Sequence, residues 1–297
     1  MQSWLPFFLL PAVILPSLHA AEPLRIAGAN TVNLAVAEAA QALRAERGLT
    51  IEISTNGGST AGIGGVGEGT ADIGMCTHRL TPEERAQYAD INFNEVYIGE
   101  QVVALGVAQD VWESGVHTLD RKQVRAIYEE QSKNWRELGG ADQKIAFFNC
   151  ETGRGTWEIF AQWVYGDAKK ASLGNFPSVS DDAEGRNTLE FTPGSITQIS
   201  PLALDGRRSH ALSLKLDDGS TVAPDVKTVA EKKYPLTRPL LLLVNDRPTQ
   251  NVKVLVDYML GEAGGKIMKK HGFFPAEMLK GNAPAGDGKS NEEPLKN

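Results

Sequence analysis

The stretch "ISTNGGSTAGIGGVGEGTADIGMC", Ile53 to Cys76, decides how this chain folds. It opens inside "TIEISTNG" (Thr50 to Gly57), where apolar and polar residues alternate as in a half-buried strand. "STAGIGGVGEG" follows, led by Ser59 and Thr60, two hydroxyl residues suited to cap a helix. "ADIGMC" then closes the stretch as a second strand. The helix between them is weak on propensity alone. Gly62, Gly64, Gly65, Gly67 and Gly69 each cost up to ~1 kcal/mol relative to alanine. Close packing of its backbone must compensate.

Upstream, "LRIAGA" (Leu24 to Ala29) reads as a short strand, and "NLAVAEAAQALRAERG" (Asn33 to Gly48) is an alanine-rich helix closed by glycine. Together the segments give β-α-β-α-β, the signature of a parallel sheet in an α/β protein. Downstream, "TPEERAQY" predicts a short helix with proline in its first turn, and "EVYIGEQVVALGVA" (Glu95 to Ala108) a long strand that leaves the first lobe. "TLDRKQVRAIYEE" predicts a helix capped by Thr118 or Asp120, and "KIAFFN" a buried strand. "CETGRGTWEIFAQWVYG" repeats the opening architecture of strand, glycine turn and helix. Pro193 and Gly194 mark a turn before a strand, and Asp218 and Gly219 the tip of a hairpin. "YPLTRPLLLLVN" returns as a buried strand, "TQNVKVLVDYMLGEAGGKIMKKHG" is helical, and residues 281–297 form a polar tail.

A chain of 297 residues with 41% hydrophobic and 23% charged residues is globular and long enough for two lobes. Its net charge of -7 disfavours nucleic acid as a partner, because phosphate backbones demand a basic face. A small anion stays compatible, since a local field can oppose the global sign. The first twenty residues carry an apolar run from Trp4 to Pro16, too short for a bilayer and interrupted by Pro6, Pro11 and Pro16. They read as a secretory signal cleaved after Ala20 or Ala21. Export would place Cys76 and Cys150 in an oxidising compartment, where two thiols can pair if the backbone brings them together. The two cysteines and five histidines show no zinc spacing, so no metal or other cofactor is expected.

Helix starts leave amides without partners and carry a partial positive charge, so they bind anions. Three glycine-hydroxyl starts recur here, at "GANTV" (Gly28 to Val32), "GGSTAG" (Gly57 to Gly62) and "TGRGTW" (Thr152 to Trp157). Singly each is an ordinary cap; converging, they would cage an oxyanion with amide and hydroxyl donors. Catalysis finds little support. Gly57-Gly58-Ser59-Thr60-Ala61 lacks the last glycine of a nucleophile elbow, and neither G-x-x-x-x-G-K nor a dinucleotide fingerprint is present. The acidic run Asp181 to Glu184 reads as solvated charge, and His78 as a surface or cleft-rim residue.

With "GANTV", "GGSTAGIGGVGEGTADIGMCTHRLTPEE", "ETGRGT" and "TPGSITQIS" in this order, the chain resembles the phosphate-binding periplasmic proteins of ABC transporters (PstS-like) from about Leu24 to Phe274. The resemblance implies a two-lobed α/β fold of the type II periplasmic binding kind, each lobe a mixed sheet flanked by helices. Residues 1–20 would be the signal, 21–104 with 235–280 the first lobe, 105–234 the second, and 281–297 a disordered tail. It further implies a monomer that captures phosphate or a similar tetrahedral oxyanion in the periplasm and passes it to a membrane permease, without catalysis. Carried over by position, the ligand set is Asn30, Thr31 and Val32, then Ser59, then Arg154, Gly155 and Thr156. The chain departs from the family at three places. The family usually has serine where Arg154 stands, an arginine near Cys150, and an acidic or serine residue where Thr77 stands. Arg154 and Arg79 are the natural substitutes for the missing charge, and Thr77 discriminates less by ligand protonation than a carboxylate would. Cys76 and Cys150 flank these positions, either as a disulfide or as two separate buried thiols. A secreted sensory or interaction module that has lost the anion is the competing reading.

Overall fold

The computed structural model describes residues 22–172, 174 and 176–280. The signal and tail expected from the sequence lie outside the described residues. The opening stretch folds as the alternation requires: β1 (Leu24–Gly28), α1 (Asn30–Arg47), β2 (Ile51–Ser54), α2 (Gly58–Gly67) and β3 (Ile73–Cys76), with β1 parallel to both β2 and β3. Gly48 adopts φ 66° and ends α1 with its amide on the Arg44 carbonyl, the left-handed stop that glycine supplies.

The glycines of α2 have the packing role that their propensity cost demanded. A Cβ on Gly62 would stand 2.9 Å from the Met75 carbonyl oxygen and 3.0 Å from that of Ala27, so α2 lies directly on the backbones of β1 and β3. Gly67 faces the ring of Tyr88 in the same way. Ser59 and Thr60 do not cap the helix. Its N-cap is Gly57, at φ 86°, and Ser59 is turned instead to the end of β3.

The chain continues through α3 (Pro82–Gln87), opened by a capping box between Thr81 and Glu84, to β4 (Asn94–Val102) and β5 (Ala104–Ala108). The long run expected from Glu95 to Ala108 is therefore two strands meeting at Val103, and each belongs to a different sheet. Next come α4 (Gln109–Glu113), β6 (Thr118–Asp120), α5 (Arg121–Tyr128), β7 (Ala146–Cys150) and α6 (Gly155–Tyr165). Asp120 rather than Thr118 caps α5, paired reciprocally with Gln123. They are followed by β8 (Ser178–Val179), α7 (Asp182–Phe191), β9 (Ser195–Ile199), β10 (Ser209–Ala211), the hairpin strands β11 (Ser213–Lys215) and β12 (Thr221–Val222), and α8 (Val226–Ala230). The chain closes with β13 (Thr237–Val244), α9 (Gln250–Leu260), α10 (Glu262–Lys270), β14 (Phe273–Pro275) and α11 (Ala276–Lys280). The helical run predicted from Thr249 to Gly272 breaks at Gly261, which leaves the helical region at ψ 178°.

Two main sheets result. The first has the order β14-β4-β13-β3-β1-β2 and the second β10-β5-β9-β7-β8; a small third sheet, β12-β11-β6, flanks the second. Leu240 to Val244 are fully buried in the first sheet, between a cluster with α1, α9 and α10 on one face and a smaller one with α2 on the other. At roughly 1.5–3 kcal/mol per buried aliphatic side chain, this strand anchors the sheet. The second sheet holds its own core around Tyr128, Phe147, Phe160 and Trp135. The crossing between sheets is paired: Val103 N–H donates to Leu236 O at 2.9 Å, and the Tyr234 hydroxyl donates to Val103 O at 2.9 Å.

Candidate functional site

Three sequence-marked helix starts lie at strand ends, and the structure joins two of them. β1 ends at Gly28, φ 135°, where any Cβ would collide with the Met75 carbonyl oxygen. The chain can then turn tightly into α1, whose N-cap Ala29 supplies no side-chain acceptor. The first-turn amides at Asn30, Thr31 and Val32 are left to an outside partner. α6 starts in the same way. Gly153 takes φ 88°, Arg154 is an N-cap without a side-chain bond, and Gly155, Thr156 and Trp157 form the open first turn.

Arg238, the second residue of β13, joins the two. Its Nη2 donates to Thr31 Oγ1 at 2.7 Å, its Nε to Gln101 Oε1 at 2.9 Å and its Nη1 to Glu158 Oε2 at 2.8 Å. Gln101, buried on β4, in turn donates through Nε2 to the buried Thr156 Oγ1 at 3.4 Å. Gly155 is glycine for a local reason. A Cβ there would collide with Arg238 Nη2 and stand 2.8 Å from both Gln101 Oε1 and Thr31 Oγ1. Thr31 belongs to a helix of the first sheet and Gly155 to a helix of the second, so the junction spans both. The guanidinium keeps two further N–H groups after these three bonds.

The third start is tied locally. Ser59 Oγ accepts from the Thr77 amide at 3.2 Å and stands 3.4 Å from Thr77 Oγ1, which joins the first turn of α2 to the end of β3. This corner shares a support with the junction, because Gly28 and Gly62 both rest on the backbone of Met75. Arg79 is not brought to the junction. It donates to Glu95 Oε2 at 3.4 Å and lies 5.8 Å from the Tyr97 ring centroid. The Arg154 side chain makes no hydrogen bond or ion pair among the described residues, and its charge acts on the Cys150 thiol and the Asp182 carboxyl.

The two cysteines are free and buried, so no disulfide joins them. They sit in different sheets. Cys76 donates to Ser59 O at 3.7 Å behind α2, while the Cys150 amide is held by Gln198 Oε1 at 2.9 Å. Burial pushes both thiols up to about 12, with Glu84 and Glu95 adding to the effect at Cys76 and Arg154 opposing it at Cys150. Both are protonated and inert at neutral pH. The acidic run also differs from its solvated reading. Asp181 caps α7 through the Glu184 amide, while Asp182 turns inward, accepts from Ser200 N at 3.4 Å and is raised by burial. His78 pairs with Glu84 Oε1 at 3.0 Å and stays half-exposed.

Arg238, Gln101 and Glu158 escaped the sequence reading. The available signal was an arginine beside the apolar run of "YPLTRPLLLLVN" and a glutamine next to Glu100 in "EVYIGEQVVALGVA". A charge placed there has no solvent face and must find partners inside.

Comparison with known proteins identifies the fold and the family. A model of the PBP superfamily domain matches residues 16–263. The chain is 28% identical over 228 residues to the phosphate-binding protein PstS of Bacillus subtilis (strain 168), covering 75% of this chain and 71% of that one. A putative phosphate ABC transporter substrate-binding protein from Clostridium perfringens, solved with bound phosphate, is 27% identical. It superposes with a TM-score of 0.58 over 86% of this chain and 99% of that one. A possible phosphate-binding protein from Planctomyces limnophilus shares the fold at a TM-score of 0.71 with 17% identity, over 88% of this chain and 97% of its own. Two mixed sheets flanked by helices make up this chain, its fold is shared with these neighbours, and it belongs to the PBP superfamily.

Proposed function

We propose that this protein is an extracytoplasmic solute-binding protein that captures phosphate, or a similar tetrahedral oxyanion, for an ABC transporter. The observation that carries the reading is the junction itself: Thr31 at the start of α1 and Gly155 at the start of α6 meet around Arg238, although the two helices cover different sheets. Open amides, hydroxyls and a guanidinium at one point suit a tetrahedral anion in donor type and in charge. The names of the relatives point the same way.

The lobes we propose are residues 21–104 with 235–280, and 105–234. They would hinge at the paired crossing of Val103 and Leu236. An anion held by donors from both sheets binds the closed state better than the open one and so shifts the population toward closure. Asn30, Thr31, Val32, Gly155 and Thr156 would supply amides and hydroxyls, Ser59 and Thr77 a hydroxyl pair, and Arg154 and Arg238 charge. Arg79, held by Glu95, would act at most from a distance. Binding, not bond making, is the chemistry this set supports. We further propose that the protein works as a monomer in the periplasm and delivers its ligand to a membrane permease. Among the described residues no helix is long and apolar enough to cross a membrane.

Calorimetric titration of phosphate, sulfate, molybdate and tungstate into protein stripped of ligand by unfolding and refolding tests the reading. Phosphate is expected to bind most tightly, and Arg154→Ala to weaken it by about 1 to 3 kcal/mol as for a lost charge-assisted bond. Absence of heat with all four anions would end the proposal.

A further inference from the structure

A cavity of about 710 Å³ opens beside the junction. It is lined by one side of α6, by the turn at Ala168–Lys170 and by the segment leading into β13. Arg238 and Gly153 border it, so it begins where the proposed anion site ends. Its volume lies within the roughly 300–1,000 Å³ of small-molecule pockets, far more than one tetrahedral ion fills.

The walls are mixed in polarity, and their aromatic part is held in place. Trp157, Ile159, Trp163 and Pro235 face the space. The Trp157 indole N–H donates to the Tyr128 hydroxyl at 3.1 Å, which fixes the direction of its ring, and Tyr128 is itself packed against Phe147 and Phe160. Trp163 packs onto the core of the second sheet. Rigid aromatic walls lose little freedom when a flat group lies against them. Lys169 and Arg238 bring positive charge to the same space, and Glu158, paired with Arg238, brings negative charge to it. A bare inorganic ion would touch none of this surface.

We propose that the protein takes phosphomonoesters carrying an aromatic or similarly flat apolar substituent, with the phosphoryl group at the α1/α6 junction and the substituent in this cavity; the inference rests on the oxyanion reading above. A phosphomonoester keeps three terminal oxygens and, with a second pKa near ~6, close to two negative charges at neutral pH. The same amides, hydroxyls and guanidinium therefore serve it.

The test is calorimetric titration of inorganic phosphate and of phenyl phosphate, at neutral pH, into the wild-type protein, Trp163→Ala and Gln162→Trp. Gln162 is exposed on α6 and lines the cavity, so its replacement fills the space without disturbing the core. Phenyl phosphate is expected to bind about tenfold tighter than inorganic phosphate to the wild type, as for one added aromatic contact set. In both variants that preference is expected to vanish while inorganic phosphate binds as before. Weaker binding of phenyl phosphate than of phosphate, or a preference that survives both substitutions, overturns the inference and leaves the oxyanion reading standing. No binding of either probe overturns both.

Discussion

Two arginines near the carboxyl ends of the first sheet's strands have opposite surroundings. The Arg238 side chain is 17% exposed and donates to three side chains drawn from both sheets and the crossing strand. The Arg79 side chain is 52% exposed and shares Glu95 with Arg85. Proximity to the cleft in sequence favoured Arg79; the pleat of β13 decided for Arg238. A long cation earns a functional reading from what surrounds its head group, because an exposed pair in high dielectric contributes little.

Substitutions can break or sharpen this contrast. The largest effect is expected from Arg238→Gln, which removes the guanidinium that bridges Thr31 of α1 and Glu158 of α6. Phosphate affinity measured by calorimetry should fall by about 1.5 to 3 kcal/mol, on the order of tenfold to a hundredfold. Gly155→Ala should come next. Its new methyl would push aside the guanidinium and crowd Thr31 and Gln101. The group displaced is the end of a flexible side chain, so binding should weaken by roughly tenfold, about 1 to 2 kcal/mol, with a smaller loss in thermal stability. Ser59→Ala should cost about 1 kcal/mol in affinity and in denaturant stability, since the Thr77 amide loses its acceptor. Arg79→Ala, at the other pole, should leave phosphate affinity within about 0.5 kcal/mol. Equal losses at Arg79 and Arg238 would erase the contrast.

Asp182 offers a test in pH rather than in affinity. Burial raises its carboxyl, against the opposing pull of the Ser200 amide and Arg154. The folded protein thus holds this proton to higher pH than the unfolded chain does, so its contribution to stability is lost as pH rises through the folded value. Asp182→Asn keeps the acceptor for Ser200 and removes the charge. Its melting temperature relative to wild type should therefore rise as pH is taken from the acid side of the carboxylate range to neutrality. A constant difference across that range would contradict the burial.

Much of the fold was legible because one principle governs each element. Alternation in "TIEISTNG", helical spacing after Gly28 and five consecutive buried residues from Leu240 to Val244 each had one physical outcome. The glycines of α2 announced a close approach before the approach was visible, since nothing else offsets their propensity cost. The split of the long strand at Val103 and of the last helices at Gly261 was less legible, because local sequence does not say to which sheet a strand will pair. The site was half-legible. Helix starts carry local signatures, so Thr31 and Gly155 could be named in advance. Arg238 and Gln101 could not, because they meet only through the antiparallel pairing of β13 with β4, which sets them opposite each other 137 residues apart, and no local pattern marks such a pairing. The thiols illustrate the same limit: their positions in the chain left a bridge open, and the structure holds them as two free thiols buried in separate sheets.

The central claim is that one anion is held at once by the starts of α1 and α6. Backbone amide chemical shifts followed by nuclear magnetic resonance during a phosphate titration test it most directly. Saturable shifts are expected that follow one binding curve at Thr31 and Val32 and at Gly155 and Thr156, and that collapse together in Arg238→Gln. Shifts confined to one of the two helix starts, or unchanged by the loss of Arg238, would contradict it.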